Sequence, residues 1–261
     1  TTLLFAGLGT LLFHLITGGK VPAFLGSSFA FLGGYATIAP MLGEQQNIPN
    51  LEMLPYACFG VACAGLVYVI LAGLFKVFGA KKVMRFFPPI VTGPIIIAIG
   101  LNLSSSAINN CTGSWWIAIA AILIIVAANI WGKGMIKIIP ILLGVIGSYL
   151  LAVIFDADVR ANLVANVSAA KWFALPIKME QTVFGLFASG NVDAHKLLTA
   201  VITIVPLSLA TMVEHIGDVS AISSTCNRNY IENPGLHRTL MGDGLATTLA
   251  ALFGAPANTT Y

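Results

Sequence analysis

The fold class of this chain is decided by residues 197–226, LLTAVITIVPLSLATMVEHIGDVSAISSTC. The stretch is uncharged from residue 197 to residue 213, and it then presents Glu214, His215 and Asp218 before eight more uncharged residues. A carboxylate within a hydrocarbon layer is costly and faces a cavity or a partner, so it marks a candidate functional site. On one helix, Glu214 and Asp218 share a face, whereas His215 points about 100° away from Glu214.

An alternative is a helix that ends near Val213 and leaves Glu214 and His215 at a wet terminus. Against this, residues 219–222 are compatible with a helix, and the first basic residue after the stretch is Arg228. These features favour a continuous helix whose acidic residues lie in an apolar environment.

Few residues of the chain are charged. The charged fraction is 9%, against about 25% in soluble domains, and 57% of the residues are hydrophobic. So few charges could not cover the surface of a soluble protein, and the apolar runs are much longer than barrel strands. The composition therefore predicts an all-α polytopic membrane protein. The net charge of +3 indicates no nucleic-acid partner, and the four cysteines lack a metal-type spacing and are expected to be reduced.

Apolar runs predict the spanning helices. Besides the opening stretch, they cover residues 3–17, 55–78, 87–103, 117–130, 138–155 and 239–254. With a broken segment at residues 21–41, this gives seven full or broken spans and an eighth at the end. We expect a polar loop at residues 102–112 and a long polar connection at residues 156–196, with an apolar patch at residues 182–188 on the membrane surface.

Alternating these spans across a membrane separates the charged loops. One side collects nine of the thirteen basic residues: Lys20, Lys76, Lys81, Lys82, Arg85, Lys133, Lys137, Arg228 and Arg238. The acids on that side are Glu232 and Asp243, and those on the other side are Glu44, Glu52, Asp156, Asp158, Glu180 and Asp193. The positive-inside rule makes the basic side cytoplasmic, so we expect a multi-pass protein of the inner (plasma) membrane.

Two short segments break the apolar pattern in the same way. Residues 22–29, PAFLGSSF, and residues 256–261, PANTTY, each have a proline and an alanine, then paired hydroxyl residues, then an aromatic residue. An odd number of spans separates them, which inverts the topology, and such pairs point to a transporter site near the bilayer midplane. Taken alone, the first segment fits equally well an ordinary helix with two serines at a helix contact.

Four motifs carry a resemblance to a known family. They are residues 20–31 (KVPAFLGSSFAF), 214–218 (EHIGD), 233–238 (NPGLHR) and 256–261 (PANTTY). Together they resemble the uracil permeases of the nucleobase/ascorbate transporter family, also called nucleobase:cation symporter-2. The resemblance covers essentially the whole chain in the same order. It implies a transporter of fourteen spans in two inverted halves of seven, with broken helices at the substrate site, of which this chain is expected to be a fragment.

The resemblance also implies a division into core and gate domains. Residues 1–78 would supply about the second to fourth spans, in the core domain, and residues 79–155 the fifth to seventh, in the gate domain. Residues 156–196 would be an extracytoplasmic connection. Residues 197–261 would return to the core domain with the eighth and ninth spans and the start of the tenth.

Candidate site residues follow from the same resemblance. Glu214 matches the substrate-binding glutamate of the eighth span, and Phe29 matches the aromatic residue of the third-span break. Asp218 stands where some relatives have His. The implied substrate-binding set is Glu214, Phe29, Ser28, Ala30 and Tyr261. The implied proton-coupling set is Asp218, Glu214 and His215, and no catalytic residue, metal or cofactor is expected beyond the proton gradient.

The implied activity is uptake of uracil by proton symport. Uracil offers ring N–H donors and carbonyl acceptors, so Glu214 could accept from the ring while backbone N–H groups near Phe29 donate to a carbonyl. Burial disfavours a charged carboxyl group, so we expect Glu214 or Asp218 to take up a proton near neutral pH. The expected partners are the nucleobase, protons and membrane lipid, and a homodimer is left open.

Other functions remain alternatives at this point. The nearest is a purine (xanthine or uric acid) or anion transporter on the same fold, although Glu214 would repel an anion. A channel is disfavoured because half-helices that converge on an acidic site indicate an occluded pocket. A membrane-embedded enzyme is disfavoured because the sequence contains no HExxH, GxSxG or P-loop pattern.

Overall fold

The computed structural model describes residues 1–43, 48–79, 82, 85, 89–134, 136, 139–170 and 176–261. In chain order its helices are α1 (Thr2–Thr17), α2 (Leu32–Ile38), α3 (Leu54–Phe78), α4 (Pro89–Cys111), α5 (Trp115–Trp131), α6 (Pro140–Phe155), α7 (Ala157–Ala169), α8 (Val183–Ala188), α9 (Ala194–Ile204), α10 (Leu207–Thr225) and α11 (Leu236–Leu252). Two strands of three residues, β1 (Leu25–Ser27) and β2 (Asn258–Thr260), complete the regular structure together with short 3-10 and π turns. The predicted all-α class is confirmed. Three charged residues named above, Glu44, Lys81 and Lys137, lie outside the described residues.

The chain divides into two compact units. The first contains Thr1–Gly100 and Leu175–Tyr261, and the second contains Leu101–Ala174. The roles of core and gate that the sequence argument gave to parts of the chain stay predictions.

The first unit is built on close helix contacts at small residues. A Cβ atom at Gly65 of α3 would lie 2.7 Å from the carbonyl oxygen of Gly244 in α11, so the two backbones touch here. Gly60 meets α9 in the same way, 2.8 Å from the carbonyl oxygen of Ala200. Small residues allow such approaches without a strong hydrophobic drive, as is typical of helices in membranes.

The second unit contains a hairpin of α5 and α6. Gly144 and Gly147 of α6 receive the side chains of Ile125 and Ile124 from α5. Asp156 then ends α6 and caps α7, because its carboxylate accepts from the backbone N–H groups two and three residues later. The chain bends by 107° at this cap.

Several sequence predictions need correction. Residues 102–112 are not a polar loop, because α4 continues to Cys111; this stretch contains no glycine or proline before that point, and Ser104 returns its hydroxyl to the carbonyl of Leu101. The connection at residues 156–196 contains α7 and α8. In α8, Val183 and Leu186 are buried in the first unit, whereas Phe184 and Phe187 are exposed, so the placement of this apolar patch on the membrane surface stays a prediction.

The stretch at residues 197–226 also differs in one respect. It forms two helices, α9 and α10, that meet at Val205 and Pro206, because a proline cannot donate the helical hydrogen bond. The predicted continuation beyond Val213 is confirmed, since α10 runs to Thr225. Glu214 and Asp218 therefore lie in the middle of a helix and not at its end.

A single helix crosses a membrane by itself only if it is long and apolar enough. Within the described ranges, two helical segments are long and apolar enough to do so, Leu54–Phe78 and Ala194–Thr225, and a third is added if the bent pair Pro140–Phe155 and Ala157–Ala169 is one span. Thr2–Thr17, Phe29–Ile38 and Trp115–Trp131 are shorter apolar helices. The count of eight full or broken spans stays a prediction.

Candidate functional site

The two broken segments of the sequence meet in space. β1 and β2 pair in antiparallel register, with Leu25 opposite Thr260, Gly26 opposite Thr259 and Ser27 opposite Asn258. Backbone hydrogen bonds extend the pairing on both sides, from Ser28 N–H to the carbonyl of Ala257 at 2.7 Å and in both directions between Phe24 and Tyr261. Irregular backbone at bilayer depth is tolerated only where it is buried in protein or lines a cavity. This two-stranded junction satisfies that requirement by pairing each break with the other.

Side chains from the surrounding helices hold the junction in place. The hydroxyl of Thr10 in α1 accepts from the N–H of Leu25 at 2.9 Å. The buried Asn258 donates its side-chain amide to the carbonyls of Phe5 in α1 and Ala246 in α11, at 3.4 and 3.3 Å. Thr247 of α11 donates to the carbonyl of Asn258 at 3.1 Å. The strands are thus fixed to two helices that do not carry the acids Glu214 and Asp218.

The residues predicted around the first break lie at the end of β1. Ser28 is buried, and its hydroxyl has no hydrogen-bond partner among the described residues. Phe29 begins a single 3-10 turn that leads into α2, and its side chain is 57% exposed. Ala30 is half-buried in the same turn. The N–H groups at the start of a helical turn have no intrahelical acceptor, so this turn offers donors to a ligand.

Tyr261 lies on the other side of the junction. Its hydroxyl donates to the carbonyl of Ser27 at 3.0 Å, and its ring stacks on Phe24 with centroids 5.8 Å apart. Gly26 leaves the space that the Tyr261 ring occupies, since a Cβ atom there would lie 2.8 Å from the ring. The ring is 45% exposed, so one face is open to a ligand.

Glu214 and Asp218 bring their carboxylates to this junction. The helix that carries them, α10, packs against both β2 and the Phe29–Phe31 turn. Both acids are half-buried, and one carboxylate oxygen of Glu214 is buried without a hydrogen-bond partner among the described residues. Both are close enough to Tyr261 to act on it electrostatically. The structure therefore brings together Glu214, Asp218, Tyr261 and the Phe29 turn.

His215 lies on a different face of α10 and is fully buried. Its Nδ1 atom is 3.0 Å from Oγ1 of Thr260 in β2 and 3.0 Å from Oδ2 of Asp243 in α11. The Nε2 atom has no partner in the described part of the chain. The three side chains join α10, α11 and β2 in one polar cluster, which we call the His215 cluster.

The two contacts of the His215 Nδ1 atom differ in kind. The contact with Thr260 is a hydrogen bond, in which the hydroxyl donates when Nδ1 carries no proton. Neither carboxylate oxygen of Asp243 has a hydrogen-bond partner among the described residues, so the Asp243 contact is an ion-pair distance alone. Thr260 is therefore the residue that joins His215 to β2 by a hydrogen bond.

Sequence reasoning missed Asp243 and Thr260 as site residues. Asp243 was placed with the acids of the basic side, yet it is 0% exposed and lies within α11. The available signal was its isolation, because no other charged residue occurs between Arg238 and the end of the chain. For Thr260 the hydroxyl pair in PANTTY was recognised, but its partner His215 is 45 residues away and no local pattern indicates the contact.

The whole chain matches a known protein family. A family model described as Permease family (Xan_ur_permease) matches residues 1–261, the full chain. The chain belongs to this permease family. The resemblance read from the four motifs is confirmed, as is a transporter family in preference to an enzyme. Together with its apolar helices, membership makes the chain part of a membrane protein.

Individual relatives are similar along the same length. The chain is 38% identical to a probable uracil permease of Haemophilus influenzae over 270 residues, which is 100% of this chain and 59% of the relative. It is 35% identical to the uracil permease of Bacillus subtilis over 98% of this chain and 57% of the relative, and 33% identical to a putative pyrimidine permease of Escherichia coli over 100% and 56%. The chain thus spans less than two thirds of the length of these permease-family relatives.

Proposed function

We propose that the full-length protein is a secondary active transporter that takes up uracil across the cytoplasmic membrane, driven by protons. The observation that carries the proposal is the buried carboxylate oxygen of Glu214 beside the junction of the two breaks, which has no hydrogen-bond partner in the described part of the chain. The uracil permeases among the relatives support the choice of substrate. A neutral planar ring with N–H donors supplies the hydrogen that this oxygen lacks.

In this proposal, uracil recognition is divided between two surfaces. Glu214 accepts from a ring N–H, and the N–H groups at the start of the Phe29 turn donate to a ring carbonyl. Phe29 and Tyr261 offer exposed aromatic faces on either side of the junction for stacking. An analogue without one of these polar groups leaves a buried partner unpaired, which costs more than a lost apolar contact.

The proton is carried by the acids of α10 in this proposal. Glu214 and Asp218 are one turn apart on the same face, so protonation of one relieves repulsion between them. His215 is the third proton-coupling residue and acts on β2 through Thr260. No cofactor is required, since the proton gradient supplies the energy.

The remaining architecture belongs to the same proposal. The full-length protein has fourteen spans in two inverted halves, and the paired breaks β1 and β2 come from corresponding positions of the two halves. Residues 1–78 and 197–261 belong to the core domain, residues 79–155 to the gate domain, and residues 156–196 connect them outside the cell. The protein lies in the inner membrane, and a homodimer is its proposed assembly.

Uptake of labelled uracil by cells that express the full-length protein tests the function. Wild type, Glu214→Gln and Glu52→Gln are compared with and without a protonophore. Glu52 is the matched control, because it is an exposed acid at the start of α3, outside the site. We expect uptake by wild type and Glu52→Gln to collapse with the protonophore, and uptake by Glu214→Gln to be lost without it. Equal uptake by wild type and Glu214→Gln would overturn the assigned site.

Competition assays separate the alternative substrates. Excess unlabelled thymine, xanthine or bicarbonate is added to the uracil uptake assay. Inhibition by thymine alone would widen the substrate to pyrimidines, as the name of the Escherichia coli relative indicates for that protein. No uracil uptake, with direct uptake of xanthine or bicarbonate, would replace uracil with a purine or an anion.

A further inference from the structure

A groove on the first unit lies away from the substrate junction. It has a volume of about 630 Å³ and opens where α1 ends, α3 ends and α11 begins. Ile16, Val69 and Met241 form its apolar wall, and Gly73 forms part of its floor. A Cβ atom at Gly73 would meet nothing within 4 Å, so the floor is open above this residue.

Three basic side chains line one end of the groove. Lys76 comes from the last turn of α3, and His237 and Arg238 come from the first turn of α11. Burial and the neighbouring charges of Arg238 and Lys76 lower the pKa of the His237 imidazole, so Lys76 and Arg238 carry the positive charge and His237 offers a ring N–H. Across the described residues, no carboxylate lies within ion-pair distance of any of the three, since the ion pairs found there are Lys196–Glu52 and His215–Asp243.

The dipole of α11 does not balance the positive charge at this end of the groove either. The first turn of α11 contains no acidic residue, and the N-terminal end of a helix carries a partial positive charge. Arg238 therefore adds positive charge where the helix already disfavours it. An anion at this end would offset all of these charges together.

We propose that this groove binds an anionic phospholipid. The phosphate of the headgroup lies among Lys76, His237 and Arg238, and an acyl chain lies along Ile16, Val69 and Met241 over Gly73. An apolar helix from the remainder of the protein would cover the wall but leave Lys76 and Arg238 without a counter-charge. A lipid with an anionic headgroup satisfies both ends. The groove lies at the end of α3 that the sequence predicts to be cytoplasmic, where anionic lipids attract basic residues.

Lipid titration followed by native mass spectrometry of the purified full-length protein tests the site. The probes are dioleoylphosphatidylglycerol, dioleoylphosphatidylcholine with the same acyl chains, and inorganic phosphate. We expect phosphatidylglycerol to bind best. A basic residue near such a headgroup contributes roughly a fivefold change in affinity, so the double variant Lys76→Gln/Arg238→Gln should bind phosphatidylglycerol at least about tenfold more weakly.

Two further variants separate this site from general attraction to charge. Lys20→Gln/Lys133→Gln removes the same number of exposed charges at residues that do not line the groove. It should keep its affinity for phosphatidylglycerol within about twofold, since exposed charges that do not contact the headgroup are screened by salt. Gly73→Leu keeps every charge and fills the floor, so it should lower binding of phosphatidylglycerol as strongly as the charge variant does.

Each contrary result overturns the proposal in a different way. Equal loss in both double variants would mean non-specific attraction to charge. Equal binding of phosphatidylcholine, or displacement of phosphatidylglycerol by millimolar inorganic phosphate, would mean that the anionic lipid is not the ligand. Unchanged binding in Gly73→Leu would mean that the acyl chain does not lie in the groove, as expected if another part of the full-length chain covers it. None of these results depends on uracil transport.

Discussion

Asp243 and His215 are both fully buried, which makes their contact sensitive to removal of either partner. We expect Asp243→Leu to lower the free energy of unfolding by about 3 kcal/mol, because it leaves His215 without its carboxylate in an apolar environment. Asp243→Asn keeps a polar atom beside His215 and should cost less. Thermal unfolding of the purified full-length protein measures both. Equal stability of the two variants would show that the contact does not contribute.

Thr260 connects the His215 cluster to the strand that borders the substrate site. Thr260→Val keeps the shape but removes the hydroxyl beside Nδ1, and loss of a buried partner costs about 1–3 kcal/mol. We expect a lower melting temperature and a displaced pH profile of uracil uptake. Thr260→Ser, which keeps the hydroxyl, should restore both. A pH profile that is unchanged in Thr260→Val would separate the cluster from proton coupling.

Single residues differ in how far sequence alone predicts their role. Glu214 and Asp218 were found because two acids one turn apart in an apolar run have few structural explanations. Asp243 escaped because it was counted with the charges of the basic side, although it lies inside the predicted span at residues 239–254. Its burial depends on the packing of α11 against α3 and α1, which no local pattern reports.

At the level of elements, the contact between α3 and α11 depends on the absence of side chains. Gly65→Ala would place a Cβ atom 2.7 Å from the carbonyl oxygen of Gly244, and such overpacking costs about 1–3 kcal/mol. Gly73→Ala is the matched control two turns later on α3, where a Cβ meets nothing and alanine favours the helix. Melting curves of the full-length protein should show a loss for Gly65→Ala and no loss for Gly73→Ala. The reverse order would contradict the close contact.

The junction of β1 and β2 makes a second prediction at this scale. Gly26→Val would push the Tyr261 ring away from the junction, since even a Cβ atom lies 2.8 Å from it. A small displacement at a binding site is costly, so uracil uptake should fall about tenfold or more. Gly33→Ala in α2 is the control, because its Cβ meets nothing within 4 Å. Similar uptake by both variants would exclude Tyr261 from the site.

The elements that the sequence predicted best were the broken segments, where proline and glycine interrupt the helical pattern. The two breaks were visible in PAFLGSSF and PANTTY, and the structure pairs them as strands. The continuation of α4 to Cys111 was missed because serine and asparagine are typical of loops, although Ser104 bonds back to the helix here. Pro206 was overlooked because the apolar run around it hides the break between α9 and α10.

At the scale of the whole molecule, the two ends of α3 lie beside different charged residues. At its start, Lys196 donates to Glu52 at 2.8 Å, and this hydrogen bond lowers the pKa of the Glu52 carboxyl group. A lowered pKa means that the pair is present above the unfolded carboxyl pKa and is lost only as the pH falls through the lowered value. The groove residues Lys76 and Arg238 lie at the other end of α3. The sequence assigned Glu52 to the outer side of the membrane and Lys76 and Arg238 to the cytoplasmic side. Within the first unit, these residues lie at opposite ends of α3.

This separation predicts the orientation of the protein in the membrane. By the positive-inside rule, Glu52 faces the outside and the exposed Cys226, close to Arg228, faces the cytoplasm. In a full-length protein without other cysteines, a membrane-impermeant maleimide should label Glu52→Cys in intact cells. It should label Cys226 only after permeabilisation, and labelling of both sites in permeabilised cells confirms that they are accessible.

Labelling of Cys226 alone in intact cells would invert the topology. Labelling of both in intact cells would mean that the two ends of α3 are not separated by the bilayer, which would also remove the cytoplasmic leaflet as the source of the groove lipid.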